Sequence, residues 1–155
     1  LKLSTKGRYA VMAMTDLAAH GLGKPVALSD IAERQEISLS YLEQLFGKLR
    51  KGGLVKSVRG PGGGYRLSRG AAQTRIADII LAVDEPIQAT SCAPGSPAGC
   101  RNNQGRCLTH DLWEELGNQI YHYLSSVSLS DVVERRIIRL VSGAPDSGGG
   151  PSVAA

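Results

Sequence analysis

The sequence predicts a mainly α protein: a winged helix-turn-helix domain with a small β-hairpin wing, followed by a long C-terminal helix. Three observations predict it. Apolar residues recur at helical spacing in three successive stretches of the first fifty residues. The glycine-rich segment Arg59-Gly60-Pro61-Gly62-Gly63-Gly64 separates two short β-prone runs, and a second long apolar stripe begins after residue 108.

Over residues 5–20, Ala10, Ala13, Met14, Leu17 and Ala18 follow the i, i+3, i+4, i+7, i+8 template, and Gly21 and Gly23 stop the helix. A short helix is expected from an N-cap at Ser29 to Gln35, burying Ile31 and Ala32. After the turn Glu36-Ile37-Ser38, a helix over 39–51 gathers Leu42, Leu45, Phe46 and Leu49 into one stripe and ends at Gly52-Gly53. Leu54–Val58 reads as a strand and Tyr65–Leu67 as its return, with the glycines as the tip. Helix, short helix, turn, helix and hairpin, in that order, make a winged helix-turn-helix.

Thr74 is expected to cap a further helix through Ile76, Ile79, Ile80 and Val83, with Asp84-Glu85 at its end and Pro86 stopping it. A loop follows, and from Thr109 to Ser126 a long helix carries Leu112, Trp113, Leu116, Ile120, Tyr123 and Leu124. That stripe is wider than one small domain needs, so a partner helix from a second copy is expected there. Ser128 and Asp131 form a capping box opening a last helix through Leu140. The Gly/Pro/Ser-rich stretch from Ser142 reads as disordered. The expected organisation is thus a DNA-binding domain over 1–87, a ligand-bearing loop over 88–108, dimerisation and packing helices over 109–141, and a tail over 142–155.

Length and charge narrow the function. A chain of 155 residues with 42% apolar and 21% charged residues has room for one domain, or one plus a helical extension, but not for a large two-domain enzyme. No apolar run approaches the roughly 18 residues a membrane span needs, and the polar, basic start lacks a signal peptide's apolar stretch. A cytoplasmic protein with no membrane partner is the expectation. Residues 1–70 hold 12 Lys/Arg against 5 Asp/Glu, whereas residues 71–155 hold 6 against 9. A basic first half points to a polyanion.

Within that half, the 39–51 helix offers Ser40, Glu43, Gln44, Lys48 and Lys51 on its polar face. Gln can bond adenine N6 and N7 together, Ser can serve either partner and Glu can accept from cytosine N4. The two lysines suit phosphates. Ser40 and Glu43 are also spaced as a capping box, a purely structural alternative. Arg59, carried on a glycine-rich tip, suits a narrow minor groove. A phosphate-binding loop is excluded there, since no Gly-Lys-Ser/Thr closes the segment.

The three cysteines fall together, as Cys92-x7-Cys100-x6-Cys107-x2-His110. Four soft or borderline donors within nineteen residues could close a tetrahedral site. Spacing alone leaves structural Zn2+, an iron–sulfur cluster and an unligated redox set open. His20 and His122 lack neighbouring ligands and read as surface or packing residues. No nucleophile–base arrangement points to catalysis, so an enzyme is not expected.

Three segments together resemble one family. Ser4-Thr5-Lys6-Gly7-Arg8-Tyr9-Ala10, Ile37-Ser38-Leu39-Ser40-Tyr41-Leu42-Glu43-Gln44-Leu45-Phe46 and Val58-Arg59-Gly60-Pro61-Gly62-Gly63-Gly64-Tyr65 are similar to the Rrf-type bacterial winged-helix regulators. The cysteines followed by Leu108-Thr109-His110 resemble the branch of that family that controls iron–sulfur cluster assembly. The resemblance covers about residues 1–140. It implies a homodimeric regulator of DNA operators with a [2Fe–2S] cluster on Cys92, Cys100, Cys107 and His110, donated by the cluster-assembly machinery. It further implies repression of assembly genes when the cluster is bound, and a second promoter class bound with or without it. The inter-cysteine spacings are longer than the family's pattern, and the tail has no counterpart in it.

Overall fold

A computed structural model describes residues 3–89 and 106–137. The elements run α1 (Thr5–His20), α2 (Leu28–Gln35), α3 (Leu39–Lys51), β1 (Val55–Val58), β2 (Gly64–Leu67), a 3-10 turn (Ala71–Gln73), α4 (Ile76–Ala82), α5 (His110–Ser126) and α6 (Leu129–Val133). This is a mainly helical fold with one two-stranded antiparallel hairpin, as the sequence predicts. The apolar stripes of α1, α3 and α4 meet in one core that includes Ala10, Met14, Leu17, Leu42, Phe46, Leu49, Ile79 and Ile80. Leu129 and Val127 enter the same core, so the short C-terminal helix closes over α1.

Several helix starts differ from expectation, for a common reason. For α2 and α4, what fixes the start comes from distant chain, not from a local side chain. Ser29 does not cap α2, which begins one residue earlier, after Ala27 and with no side-chain cap. Val26 and Tyr65 exchange both backbone hydrogen bonds at 2.8 Å, which fixes the chain just ahead of that helix. Gly64 is needed at this junction, because a Cβ there would run into the Val26 backbone. Thr74 does not cap α4 either. Its hydroxyl donates to the Gly70 carbonyl, and the first α4 amide, Ile76 N–H, donates to Val127 O at 3.0 Å. In α3 the cap is Ser38, whose Oγ accepts from Tyr41 N–H at 3.2 Å. The Ser40–Glu43 box is therefore not formed, and both side chains stay exposed.

Helix ends show a second shared device. Glu36, Asp84 and Arg135 all take left-handed backbone angles, with φ of 54°, 58° and 56°. Each is followed by an N–H that reaches back five residues: Ile37 to Ala32, Glu85 to Ile80 and Arg136 to Asp131. These are Schellman-type closures made without glycine. The last of them explains why the final helix stops at Val133 and does not continue to Leu140. Residues 138–140 lie outside the described chain. The Ser128–Asp131 capping box is present, with both reciprocal bonds formed. α5 starts one residue after the expected Thr109 and ends at Ser126 as expected.

Two buried carboxylates hold the head together. Asp16, on the buried side of α1, accepts from Arg34 Nε and Nη2 and from Gln35 Nε2 of α2, at 2.8–3.3 Å. Burial works to raise its pKa, but the bonds from Arg34 and Gln35, with the charges of Arg34 and His20, outweigh it and hold the carboxyl below its ordinary value. Glu85 lies just past α4 and accepts the amides of Ser4 and Gly7 at the start of α1. Burial again opposes ionisation there, and the Ser4 and Gly7 bonds with the Lys6 charge overcome it. A Cβ on Gly7 would press on the Glu85 carboxylate and force it to shift away from the amides it caps.

Two outcomes are expected. Asp16→Ala should cost about 2–3 kcal/mol at pH 7, the worth of hydrogen bonds to a charged group. Because the folded pKa is depressed, that contribution is complete above the unfolded value and is lost as pH falls through the folded one. The gap between variant and parent in urea melts should therefore narrow as pH drops below about 4. Ser38→Ala should lower stability by about 1 kcal/mol, whereas Ser40→Ala should leave the same melts unchanged.

Candidate nucleic-acid interface and metal centre

The α3 helix turns Leu42, Leu45, Phe46 and Leu49 inward. Its opposite side presents Ser40, Glu43, Gln44 and Lys51, all exposed. Their spacing of three, four and seven residues sets them on one face. With capping done by Ser38, Glu43 keeps its carboxylate available, and it makes no ion pair with a described residue. Lys48 is placed differently from its neighbours. Its Nζ lies 2.8 Å from Asp84 Oδ2, and that hydrogen bond and charge hold the Asp84 carboxyl below its usual range.

Gly47 belongs to the same outward face and was not singled out from the sequence. A Cβ at this position would meet nothing within 4 Å. A helix-interior glycine costs about 1 kcal/mol relative to alanine, and no contact among the described residues requires it. A glycine interrupting an otherwise good helix-forming run was the available signal.

The wing tip turns through Gly60 and Gly62, with φ of 103° and 70°, and Gly63 N–H donates to Gly60 O at 2.9 Å. Arg59 stands exposed at its base. The hairpin is held against α3 by the rings of Phe46 and Tyr65, 5.0 Å apart and edge to face. Recognition helix and wing are thus parts of one packed unit.

Of the four expected metal donors, the described chain includes two; Cys92 and Cys100 lie outside it. Cys107 and His110 occupy one turn at the root of α5, closed by His110 N–H donating to Cys107 O at 3.1 Å. Cys107 is half-buried, and the His110 side chain is only 11% exposed. Thr109 Oγ1 lies 3.7 Å from Cys107 Sγ and accepts from Trp113 Nε1 at 3.2 Å, which braces the turn. Glu114 approaches the other side, its Oε2 3.8 Å from His110 Nε2. A thiol and an enclosed imidazole fit an iron–sulfur cluster or zinc equally well as donors. His20 instead pairs with Asp16, and His122 stacks edge-on with Tyr121, so neither joins this site.

Beyond this turn, α5 rests on α4 but has no fully buried residue. Leu112, Trp113 and Tyr121 are exposed, Leu116 and Ile120 half-exposed, and Tyr123 and Leu124 pack against the core. No helix among the described residues is long and apolar enough to cross a membrane.

Residues 3–135 match the family model Rrf2, described as an iron-dependent transcriptional regulator. The HTH-type transcriptional regulator IscR of Photorhabdus laumondii is 52% identical over 147 residues, covering 95% of this chain and 88% of that protein. Among solved structures, IscR of T. potens superposes with a TM-score of 0.71 at 41% identity, covering 88% of each chain. CymR, the global cysteine regulator of B. subtilis, gives a TM-score of 0.71 at 34% identity, over 87% of this chain and 98% of that one. The matched fold and sequence are those of DNA-binding regulators and not of enzymes, and the chain belongs to the Rrf2 family of transcriptional regulators.

Proposed function

We propose that this regulator senses iron–sulfur status through a [2Fe–2S] cluster held by Cys92, Cys100, Cys107 and His110, and represses cluster-assembly genes when loaded. The observation that carries the proposal is the turn that brings Cys107 and His110 together at the start of α5. When bound, such a cluster supplies an iron-dependent crosslink, and its loss registers iron shortage or oxidation. The chain's own contribution is mechanical. His110 opens a helix that lies against α4, and the turn just past α4 carries Asp84, which holds Lys48 of α3. The Cys107–His110 turn, α5, α4 and α3 therefore share one contiguous set of contacts through which ligation at that turn could bias DNA choice.

In this reading residues 1–87 form the DNA-binding unit, 88–108 the cluster loop, and 109–141 the dimerisation and packing region. Two copies pair through the apolar face of α5, including Leu112, Trp113, Leu116, Ile120, Tyr123 and Leu124. Ser40, Glu43 and Gln44 read base edges in the major groove. Lys48 and Lys51 neutralise phosphates, and Arg59 enters the minor groove. Glu43 discriminates between promoter classes, since a carboxylate facing a base edge favours one sequence and repels another. A second class of promoters is then bound with or without cluster.

Protein isolated without oxygen is expected to be coloured and to carry about two irons and two sulfides per chain. A colourless preparation holding one tight zinc per chain would replace the sensor by a structural metal centre. Gly47→Ala tests the docking face separately. It should raise thermal stability by about 1 kcal/mol while weakening binding to duplexes selected from a random library. Equal or tighter DNA binding by that variant would remove α3's outward face from the interface.

A further inference from the structure

The solvent side of the wing carries positive charge that the fold itself does not explain. Lys56 of β1 and Arg66 of β2 are direct partners in the antiparallel register. Like charges placed opposite one another destabilise a hairpin. Both side chains are exposed, as is Arg69 three residues further on, and none of the three makes an ion pair with a described residue. They border an open groove of about 440 Å³ between the hairpin and the Gly21–Gly23 turn, with Ser68 also lining it. Stabilising the C-terminal carbonyls of α1 is not their role. Gly21 N–H takes the Leu17 carbonyl, the His20 ring contacts that of Asp16, and no hydrogen bond runs from Lys56, Arg66 or Arg69 to this helix end.

A repulsive pair kept in register marks a place where local stability gives way to something outside the chain. We infer that this face is a second DNA-backbone surface, on which Lys56, Arg66 and Arg69 contact phosphates flanking the site entered by Arg59. The inference rests on the DNA-docking reading above and extends it from the wing tip along the strands. Charge complementarity favours a polyanion, and the two strands that carry Lys56 and Arg66 lead directly into the tip. Lys56 lies three residues before Arg59, about 10 Å along an extended strand, within the span of neighbouring phosphates. Contacts of this kind add affinity without sequence preference.

The test uses the full chain and a 40-bp duplex of random sequence, with binding measured from about 50 to 200 mM salt, the range over which counterion release dominates. Lys56→Gln/Arg66→Gln should bind several-fold more weakly and flatten the plot of log K against log salt by about 2, near 0.9 for each lost contact. Its melting temperature without DNA should be equal or higher, because the repulsion is gone. The sequences it selects from a random library should match those of the parent. Lys56→Glu, which places opposite charges in register, is a second variant with a favourable pair in the hairpin, and it should lose affinity similarly. An unchanged slope and affinity in folded variants would overturn the inference. So would unchanged DNA binding with weakened binding of pyrophosphate, which would reassign the groove to a small phosphorylated ligand. If the parent binds no duplex at all, the DNA-docking reading fails with it. If Lys51→Gln and Arg59→Gln weaken binding while the wing variants do not, only the present inference is lost.

Discussion

The Glu85 carboxylate against the first turn of α1 is the constraint on which the rest of the head depends. A helix N-terminus leaves its first amides without partners, and here Ser4 makes no side-chain cap. A residue 78 positions downstream of Gly7 supplies the acceptor in its place. That single placement ties where α1 begins to where α4 ends, and a side chain at position 7 would displace the carboxylate. The preceding residue, Asp84, takes the left-handed turn that lets the chain reach α1 and offers its own carboxylate to Lys48 of α3. One elbow of two acidic residues thus ties the end of α4 to both α1 and α3.

The surfaces assigned to function are those that internal packing leaves unexplained. The outward face of α3 holds polar side chains with no capping duty and a glycine that the helix would be more stable without. The wing keeps two cations opposed in register. α5 displays a leucine and a tryptophan to solvent. Each costs the isolated chain some stability, and the proposed reading assigns each a different neighbour: base edges, backbone phosphates and a second α5. The interior shows the opposite pattern, with Asp16 and Glu85 both satisfied by several donors and both kept ionised despite burial.

Periodicity located α1, α3, α4 and α5, because a 3.6-residue repeat reports which side chains must leave water. Capping signals placed α2 and α6, and the glycine tip placed the hairpin. Boundaries were legible only where their cause was local. Ser128 and Asp131 cap α6 through bonds three residues apart, and that box is visible in the sequence. Ser29 and Thr74 are equally good caps by composition, yet neither serves, because Val26, Tyr65 and Val127 had already fixed the chain or taken the open amide. The end of α6 was missed for a related reason: Arg135 adopts an angle usually reserved for glycine, which no local rule assigns to arginine.

The sequence by itself determined the fold class and nominated the candidate DNA-contacting residues and metal donors. These depend on residue type and spacing, which folding does not alter. The tertiary structure alone decided that Lys48 turns to Asp84 and that Glu85 caps a helix from the other end of the domain. It alone set Lys56 opposite Arg66. Such facts are pairings between positions far apart in the chain, or set by hairpin register. They are fixed only when the core chooses which surfaces meet.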